Sequence, residues 1–371
     1  MRIDEVCAHL ERLAPRNLQE SYDNAGLLTG DPAEACTGII CALDVTEAVI
    51  AEAKAAGANL IVAHHPVIFK GLKSLTGRHY VERIIIAAIR ENMAIYAIHT
   101  NLDNVLHGVN GRIARLMGLQ RTAIAAPKAG TLRKLFTFCP QGAAEKVRQA
   151  LFAAGGGHIG NYSECSFNVT GTGTYRPGDG TNPYAGTPGK IHEETETRIE
   201  LVFPAGLERQ MLAALRAAHP YEEVAFDLVD LSNPHPETGA GVTGELPTEM
   251  PEKTFLENLS RIFGTVCIRH TAFTNRPIKR VMVCGGAGSF LIPNALSAKV
   301  DALVTADMKY HEFFEADGKM LIADIGHFES EQFTIDLLQE DLAEKFPTFA
   351  VLKTGVRTNP VHYFSGQSIG L

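Results

Sequence analysis

The chain has 371 residues, of which 45% are hydrophobic and 20% are charged. This length exceeds the roughly 250 to 300 residues that a single hydrophobic core usually serves, so we expect at least two cores. The composition excludes an intrinsically disordered chain. A formal net charge of -8 without a long run of Lys or Arg argues against nucleic acid as the main partner.

The cysteines are odd in number, with seven in the chain, and never form a Cys-x-x-Cys pair. This usage argues against both a disulfide framework and a thiolate zinc site. The N-terminal segment MRIDEVCAHLERLAP carries charges within a helical pattern, and no stretch of about 18 apolar residues occurs in the chain. We therefore expect a cytoplasmic protein that is neither secreted nor membrane-spanning.

The first and last thirds of the chain alternate strand and helix patterns. In the first third, strands are predicted at residues 38–43, 59–63 and 93–98, with helices at 47–56 and 80–91. In the last third, strands are predicted at 281–284, 302–305 and 320–325. Such alternation predicts an α/β fold of mostly parallel sheets with helices on both faces. The separation along the sequence between Cys41 and His64 equals that between Cys284 and Asp307, which suggests two similar halves.

The middle of the chain follows a different order of elements. Strands are predicted at 132–139, 166–173, 198–203 and 224–231, with helices at 143–154 and 207–218. This βαββαβ order is the ferredoxin-like arrangement. We therefore predict that residues 1–127 and 236–371 form the two halves of one domain, and that residues 128–235 form an inserted domain.

Side chains that commonly bind metals follow the predicted strands of the outer thirds. His64 and His65 directly follow the second strand, Asp103 lies soon after the third, and His327 follows the last one. In an open parallel sheet, the loops at the carboxyl ends of the strands converge on one crevice. His327 and Glu331 are spaced i, i+4 at the start of a helix predicted at 329–343, so they share one face. These five side chains are therefore predicted to form one site.

The chemistry of these five side chains indicates metal binding. Three imidazoles and two carboxylates without a thiolate suit Zn, Mn, Fe or Co better than Ca or Mg. At the turn into Pro66, the adjacent His64 and His65 can diverge toward two neighbouring ions. The Glu331 carboxylate could bridge such a pair. We predict two divalent metal ions per chain, which activate a water.

Three further residues, Asp307, His311 and His99, are candidates for supporting the ligands or transferring protons. For Asp307 and His311, a helix N-cap followed by an exposed histidine is an equal alternative.

Two other motifs have simpler interpretations. Gly285, Gly286 and Gly288 resemble half of a phosphate loop, but without a following Lys-Ser or Lys-Thr a tight strand-to-helix turn is favoured. The segment SYDNAGLL could be a turn capped by Asp23 and Asn24.

Five segments between Ser21 and Glu331 carry a resemblance to a known family: SYDNAGLL, AHHPVIF, AIHTNLD, ADMKYHEF and DIGHFESE. In this order they resemble the Nif-three-like family, labelled GTP cyclohydrolase 1 type 2 homologue. The resemblance implies a dinuclear metal centre on the same five side chains and a ring-shaped homohexamer. The segments AGGGHIGNYSECSF and HPYEEVAFDL are similar to the PII- or CutA-like insert of longer family members.

Two functions from different classes remain open. The leading hypothesis is a metal-dependent hydrolase that acts on a nucleotide or a related small molecule, since opening of a purine ring and hydrolysis of a phosphoester or an amide would use the same activated water. The alternative is a non-catalytic metal-binding or PII-like sensory protein whose insert binds a small ligand. Structural metal sites are usually closed by protein ligands, whereas five ligands for two ions leave positions open for water, which favours the enzyme.

Overall fold

The computed structural model describes residues 1–364 of the chain. The α-helices are α1 (Ile3–Leu13), α2 (Glu47–Ala55), α3 (Tyr80–Arg90), α4 (Thr100–Asp103), α5 (Val109–Leu116), α6 (Ala144–Ala153), α7 (Glu208–Ala218), α8 (Glu252–Phe263), α9 (Ile292–Ser297), α10 (His327–Glu331) and α11 (Thr334–Lys345). The strands are β1 (Gly26–Thr29), β2 (Ile39–Ala42), β3 (Leu60–Ala63), β4 (Ala94–Ala97), β5 (Gln120–Pro127), β6 (Leu132–Pro140), β7 (Phe167–Tyr175), β8 (His192–Pro204), β9 (Phe226–Asp230), β10 (Gly239–Met250), β11 (Arg269–His270), β12 (Ile278–Ala287), β13 (Ala302–Ala306), β14 (Leu321–Asp324) and β15 (Val351–Lys353).

The described residues divide into two compact units. The first unit combines Met1–Pro127 with the described residues from Glu237 onward, and the second is Lys128–Pro236. None of the described helices has the length and apolar character needed to cross a membrane.

The first unit contains a five-stranded sheet in the order β1-β4-β3-β2-β15. Strands β15, β2, β3 and β4 run parallel, and β1 pairs antiparallel with β4. Alternate residues of each strand enter different cores: Ile39 and Cys41 pack on one side of β2, and Ile40 and Ala42 on the other. A strand that is buried on both faces reads as a continuous apolar run, which is why the short segments of the first third were predicted as strands.

A second, six-stranded sheet of the same unit has the order β11-β14-β13-β12-β10-β5. Only β12, β13 and β14 run parallel, whereas β5, β10 and β11 pair antiparallel with their neighbours. The sheet is therefore mixed, and the prediction of mostly parallel strands is wrong for it, because β5 and β10 pair directly with each other across the long intervening segment. Ile39 of β2 pairs with Leu60 of β3, and Val281 of β12 pairs with Ala302 of β13. The two residues of each pair are separated by the same number of residues in the sequence.

One hydrophobic core lies between these two sheets. It contains Ile39 and Leu60 from the first sheet and Val281 and Ala302 from the second, all fully buried. Residues of α1, α5, α8 and α11 complete it, as shown by Ile3, Val6, Leu10, Ile113, Phe255, Leu259 and Leu338. Burial of each such side chain contributes roughly 1.5 to 3 kcal/mol to folding, so this core fixes the position of the strand ends.

The second unit is a four-stranded antiparallel sheet in the order β7-β8-β6-β9. Its elements follow the order βαββαβ. Helices α6 and α7 pack on one face of this sheet, where Leu135, Ile199 and Leu201 meet Val147 and Met211 in a separate core. The unit therefore has its own hydrophobic core.

Asp103 lies soon after β4, as predicted, and ends the single helical turn α4. One predicted element near the site is wrong. The helix predicted at 329–343 is two helices, α10 and α11, separated at Gln332 and Phe333. At this break the side-chain amide of Gln332 donates to the carbonyl of Phe263 over 2.8 Å, and the Phe333 ring packs against the Phe263 ring.

Candidate metal centre

The ends of the parallel strands bring the predicted histidines together. The backbone N–H groups of His64 and His65 donate to Ala42 and Leu43, so the ladder between β2 and β3 continues past the end of β3. The two imidazole rings lie 4.9 Å apart between centroids. The fold therefore directs both rings to one region.

One group of candidate ligands consists of His65, His327 and Glu331. Glu331 Oε2 lies 2.9 Å from His65 Nε2 and 3.0 Å from His327 Nε2, and the two nitrogens are 3.4 Å apart. Ligand atoms at about 2.0 to 2.2 Å from one ion are separated by such distances. These three side chains could therefore hold a metal ion.

A second group consists of His64, Asp103 and Glu331. His64 Nε2 lies 3.7 Å from Asp103 Oδ1 and 3.9 Å from Glu331 Oε2, too far for hydrogen bonds. His64 Nε2 and Asp103 Oδ1 are both buried and have no hydrogen-bond partner. Because buried polar atoms are rarely left unpaired, this pair of acceptors fits a cation between them. The donor set, nitrogen and oxygen without sulfur, also fits a divalent metal.

Four histidines of this region are held by their Nδ1 atoms. The partners are the carbonyl of Ile98 for His64 at 2.8 Å, Asp44 for His65 at 2.8 Å, Asp23 for His99 at 2.8 Å, and Asp307 for His327 at 2.7 Å. A donor hydrogen bond from Nδ1 fixes the ring orientation and leaves Nε2 as the ligand atom, as is usual for metal-binding histidines.

The surroundings of the histidines shift their pKa values in different directions. Burial lowers the pKa of His64 to about 4, so its ring is neutral at neutral pH. Burial also opposes the charged form of His65, but hydrogen bonds to Asp44 and Glu331 outweigh it and raise the pKa to about 10. For His327, hydrogen bonds to Glu331 and Asp307 outweigh burial and raise the pKa to about 9. In the metal-free protein, His65 and His327 are therefore protonated at neutral pH, and a metal ion that binds them displaces these protons.

The two carboxylates among the candidate ligands also differ. Burial, together with the charge of Glu331, raises the pKa of Asp103 well above its usual range. Burial acts in the same direction on Glu331, but hydrogen bonds from His327 and His65 lower its pKa well below that range. Of these two carboxylates, Glu331 is therefore the one that stays negatively charged near neutral pH.

Because Gly286 has no side chain, the Glu331 carboxylate can lie directly beside its Cα atom. The residue has φ +60°, and an added Cβ would lie closer to Glu331 Oε1 than the 3.0 Å that real Cβ atoms keep. The Gly286 N–H donates to the Ser330 hydroxyl at 3.0 Å, which ties the end of β12 to α10. Gly285 and Gly286 thus lie in the irregular end of β12, where the strand register shifts, and not in a turn after the strand as the sequence favoured. Only Gly288 follows the strand.

His99 joins this region, and His311 does not. His99 forms a third group with His64 and His65, whose ligand atoms lie within 4.8 Å of one another. His311 is exposed, and its ring contacts Tyr310 and Phe314 instead. Of the two alternatives for Asp307, the structure places its carboxylate on His327 rather than at a helix N-cap.

Sequence reasoning missed two supporting carboxylates, Asp44 and Asp23. Asp44 is the second residue after β2, just as His65 is the second residue after β3, so the strand-end rule could have found it. Asp23 belongs to the segment interpreted as a capped turn. It does accept from the Asn24 N–H, but it also accepts from the His99 ring, the Thr100 N–H and the Thr100 hydroxyl. Burial raises its pKa, yet these hydrogen bonds prevail and lower it to about 2.

Four of the five candidate ligands, namely His65, Asp103, His327 and Glu331, line a cleft of about 930 Å³. Its wall includes exposed aromatic side chains, namely Tyr22, Phe69, Tyr80 and Phe290. The Phe69 ring contacts the His99 ring edge-on, with centroids 5.6 Å apart. A small molecule that enters the cleft therefore meets both aromatic surfaces and the candidate ligands.

Among similar proteins, one from Halalkalibacterium halodurans is named GTP cyclohydrolase 1 type 2 homolog. It is 38% identical over 356 residues, which cover 94% of this chain and 95% of that protein. A Bacillus subtilis protein of the same name is 35% identical over 328 residues and covers 87% of each chain.

Solved structures show the same relationship. A Bacillus cereus protein described as related to NIF3 has a TM-score of 0.85 and 36% identity, and the match covers 98% of this chain and 99% of that chain. A Staphylococcus aureus protein has a TM-score of 0.76 and 28% identity over similar shares of the two chains. The model of the family Duf34/NIF3 (NGG1p interacting factor 3) matches residues 1–360. The chain therefore belongs to the Duf34/NIF3 family.

Proposed function

We propose that this protein is a metal-dependent hydrolase with two divalent ions held by His64, His65, Asp103, His327 and Glu331. The observation that carries the proposal is the position of the Glu331 carboxylate. It belongs to both ligand groups, one with His65 and His327 and one with His64 and Asp103. A carboxylate shared in this way is suited to bridge two ions.

The ligand set also narrows the choice of metal. Imidazole nitrogens with carboxylate oxygens suit Zn, Mn, Fe or Co. Five protein ligands for two ions leave positions for water, which is typical of catalytic rather than structural metal sites.

Divalent ions held by these five residues would supply a nucleophile, because such ions lower the pKa of water. Within the chain, His99 is the candidate for proton transfer, because Asp23 holds its Nδ1 and the ring lines the cleft. Its Nε2 can take a proton from the attacking water or return one to the leaving group. The buried Asp23 carboxylate stabilises the charged imidazole in that step.

The relatives' name supports testing nucleotides first. We further propose a cytoplasmic homohexamer in which residues 128–235 form an inserted PII- or CutA-like domain, as the family resemblance implies. A mass near that of a single chain in light scattering would contradict the oligomer.

The second candidate function is a non-catalytic protein that senses a small ligand through its second unit. A cavity of about 630 Å³ in that unit favours it, lined by residues such as Tyr175, Tyr221 and Glu196. Tyr221 donates to the Glu196 carboxylate at 2.7 Å inside this cavity. Binding of a metabolite there without any turnover would support sensing.

Turnover by metal-loaded protein against nucleotides, phosphoesters and amides tests the hydrolase. With a substrate identified, His99→Ala should lower kcat about 10²- to 10⁴-fold while metal content stays unchanged. His311→Ala is the matched control, because this exposed histidine lies outside the cluster, and it should leave kcat unchanged. Absence of turnover with every substrate class would favour the sensory function.

A further inference from the structure

The segment that follows β15, residues 354–364, passes close to the candidate metal centre. We call it the C-terminal segment, and it forms neither helix nor strand. Pro360 of this segment lines the cleft described above and also a second cavity of about 370 Å³. His65 and His327 line both cavities as well. The C-terminal segment therefore borders the same two cavities as these two candidate ligands.

The start of the C-terminal segment is anchored away from the candidate ligands. The Thr354 N–H donates to the Cys41 carbonyl at 2.9 Å, which continues the pairing of β15 with β2. The Thr354 hydroxyl donates to the carboxylate of Glu52 in α2, and the Gly355 N–H donates to the same carboxylate at 2.8 Å. These contacts direct the chain toward the ends of the parallel strands.

Thr358 contacts the carboxylate that supports His65. The Thr358 hydroxyl donates to Asp44 Oδ2 at 2.6 Å, and the other oxygen of this carboxylate, Oδ1, accepts from His65 Nδ1 at 2.8 Å. A carboxylate that is held at one oxygen presents the other oxygen in a fixed direction. Thr358 therefore restricts the rotation of Asp44, and through Asp44 it restricts the orientation of the His65 ring.

The next residue of the C-terminal segment contacts the helix that carries the other ligands. The side-chain amide of Asn359 donates to Glu329 Oε1 at 3.1 Å. Glu329 is buried and lies in α10 between His327 and Glu331. Asp44 follows β2 of the five-stranded sheet, whereas α10 follows β14 of the six-stranded sheet. Two consecutive residues thus connect the ends of both sheets at the metal centre.

We propose that Thr358 is a positioning residue of the metal centre, which acts through Asp44 on the direction of the His65 ring. The inference deepens the proposed function and rests on its metal centre. Binding effects are reciprocal, so a docked segment that favours metal binding must itself be stabilised when metal binds. The C-terminal segment is therefore coupled to the metal ions although it supplies none of their ligands.

Cobalt binding to the metal-free, full-length protein tests this role. Competition with a chelator gives the affinity for Co²⁺, and the visible absorption of bound Co²⁺ reports the geometry of its ligands. Thr358→Val keeps the branched shape of the side chain and removes the hydroxyl. It should lower the affinity for one of two Co²⁺ equivalents about tenfold, the lower end of the usual effect of losing a group that supports a metal ligand, and it should alter the absorption spectrum.

Two further variants assign the effect to the Thr358 hydroxyl. Thr358→Ser restores the hydroxyl and should bind Co²⁺ as the wild type does. Thr354→Val is the matched control, because the Thr354 hydroxyl also donates to a carboxylate, but Glu52 holds the segment rather than a candidate ligand. It should leave the Co²⁺ affinity unchanged. Equal losses of affinity in Thr358→Val and Thr354→Val, or in Thr358→Val and Thr358→Ser, would overturn the inference.

Hydrogen exchange separates a positioning role from a purely structural one. In the wild type, Co²⁺ should slow the exchange of backbone N–H groups in residues 354–363, and in Thr358→Val this protection should be weaker. A purely structural hydroxyl would change the exchange of the metal-free protein without any dependence on Co²⁺. Exchange in the wild type that does not respond to Co²⁺ would contradict the coupling.

The outcomes for the inference and for the proposed function are distinct. Two Co²⁺ equivalents bound by Thr358→Val as tightly as by the wild type would overturn the role of Thr358 and leave the metal centre standing. A wild-type protein that binds no Co²⁺ would overturn the proposed metal centre, and the inference with it.

Discussion

Replacement of Gly286 by Ala should weaken metal binding through Glu331. An alanine Cβ at this position would clash with Glu331 Oε1 and come within 3.3 Å of His327 Cε1. Glu331 must therefore retreat by several tenths of an ångström. Metal–ligand distances tolerate only about 0.2 Å, so the retreat disturbs every contact of this carboxylate.

The expected loss of metal affinity is at least about 10- to 100-fold, the usual effect of losing a group that supports a metal ligand. This corresponds to about 1.4 to 2.8 kcal/mol. Alanine in the left-handed backbone conformation costs a further 1 to 2 kcal/mol or so in stability. Metal affinity is measured by competition with a chelator, and stability by thermal unfolding of the metal-free protein.

Gly264→Ala separates the two effects. Gly264 has a similar φ of +65°, but nothing lies within 4 Å of an added Cβ. It should lower stability by a similar backbone cost and leave metal affinity unchanged. If Gly286→Ala binds metal as tightly as Gly264→Ala does, the Glu331 carboxylate is not held where a ligand must be.

Three further predictions concern the site and its surroundings. Asp44→Asn and Asp307→Asn should each weaken metal binding by about 10- to 100-fold, because each carboxylate orients a histidine. Circular dichroism should show an intact fold, and unchanged metal affinity in both variants would contradict the orienting role. Because the pKa values of metal-free His65 and His327 are raised to about 10 and about 9, metal binding near pH 7 should release protons. For the same reason, metal affinity should rise as the pH increases toward those values. Calorimetry in buffers of different ionisation enthalpy measures the proton release, and a binding enthalpy that does not depend on the buffer would refute it. Deletion of Lys128–Pro236 with a short flexible linker should leave a folded, metal-binding protein, because Pro127 pairs directly with Gly239 and each unit has its own core; loss of metal from a soluble deletion variant would show that the second unit is needed for the site.

The strands around the site could be predicted because they are short and apolar throughout. The segment LIVA of β3 is fully buried, and its pattern alone located His64 and His65 at the carboxyl end. The i, i+4 spacing of His327 and Glu331 likewise survives in α10, although the helix is shorter than predicted. Local sequence patterns are therefore sufficient to predict the relative position of two site residues that lie on the same helix or strand.

Features that depend on distant parts of the chain could not be predicted in the same way. The contact between Asp23 and His99 joins residues 76 positions apart. The antiparallel pairing of β5 with β10 spans the whole second unit, and the sequence of β10, GAGVTGELPTEM, contains Gly and Pro, which are unfavourable in strands. In both cases tertiary packing, rather than local preference, determines the structure.

The most direct test of the shared role of Glu331 is the metal content of Glu331→Ala and Asp103→Ala after dialysis against a weak chelator. Wild-type protein should retain two equivalents per chain. Asp103→Ala removes a ligand from one group and should retain partial occupancy, whereas Glu331→Ala removes a ligand from both groups and the negative charge between two cations, so it should retain far less. Two equivalents in a Glu331→Ala variant that remains folded by circular dichroism would contradict the bridging carboxylate and the dinuclear centre.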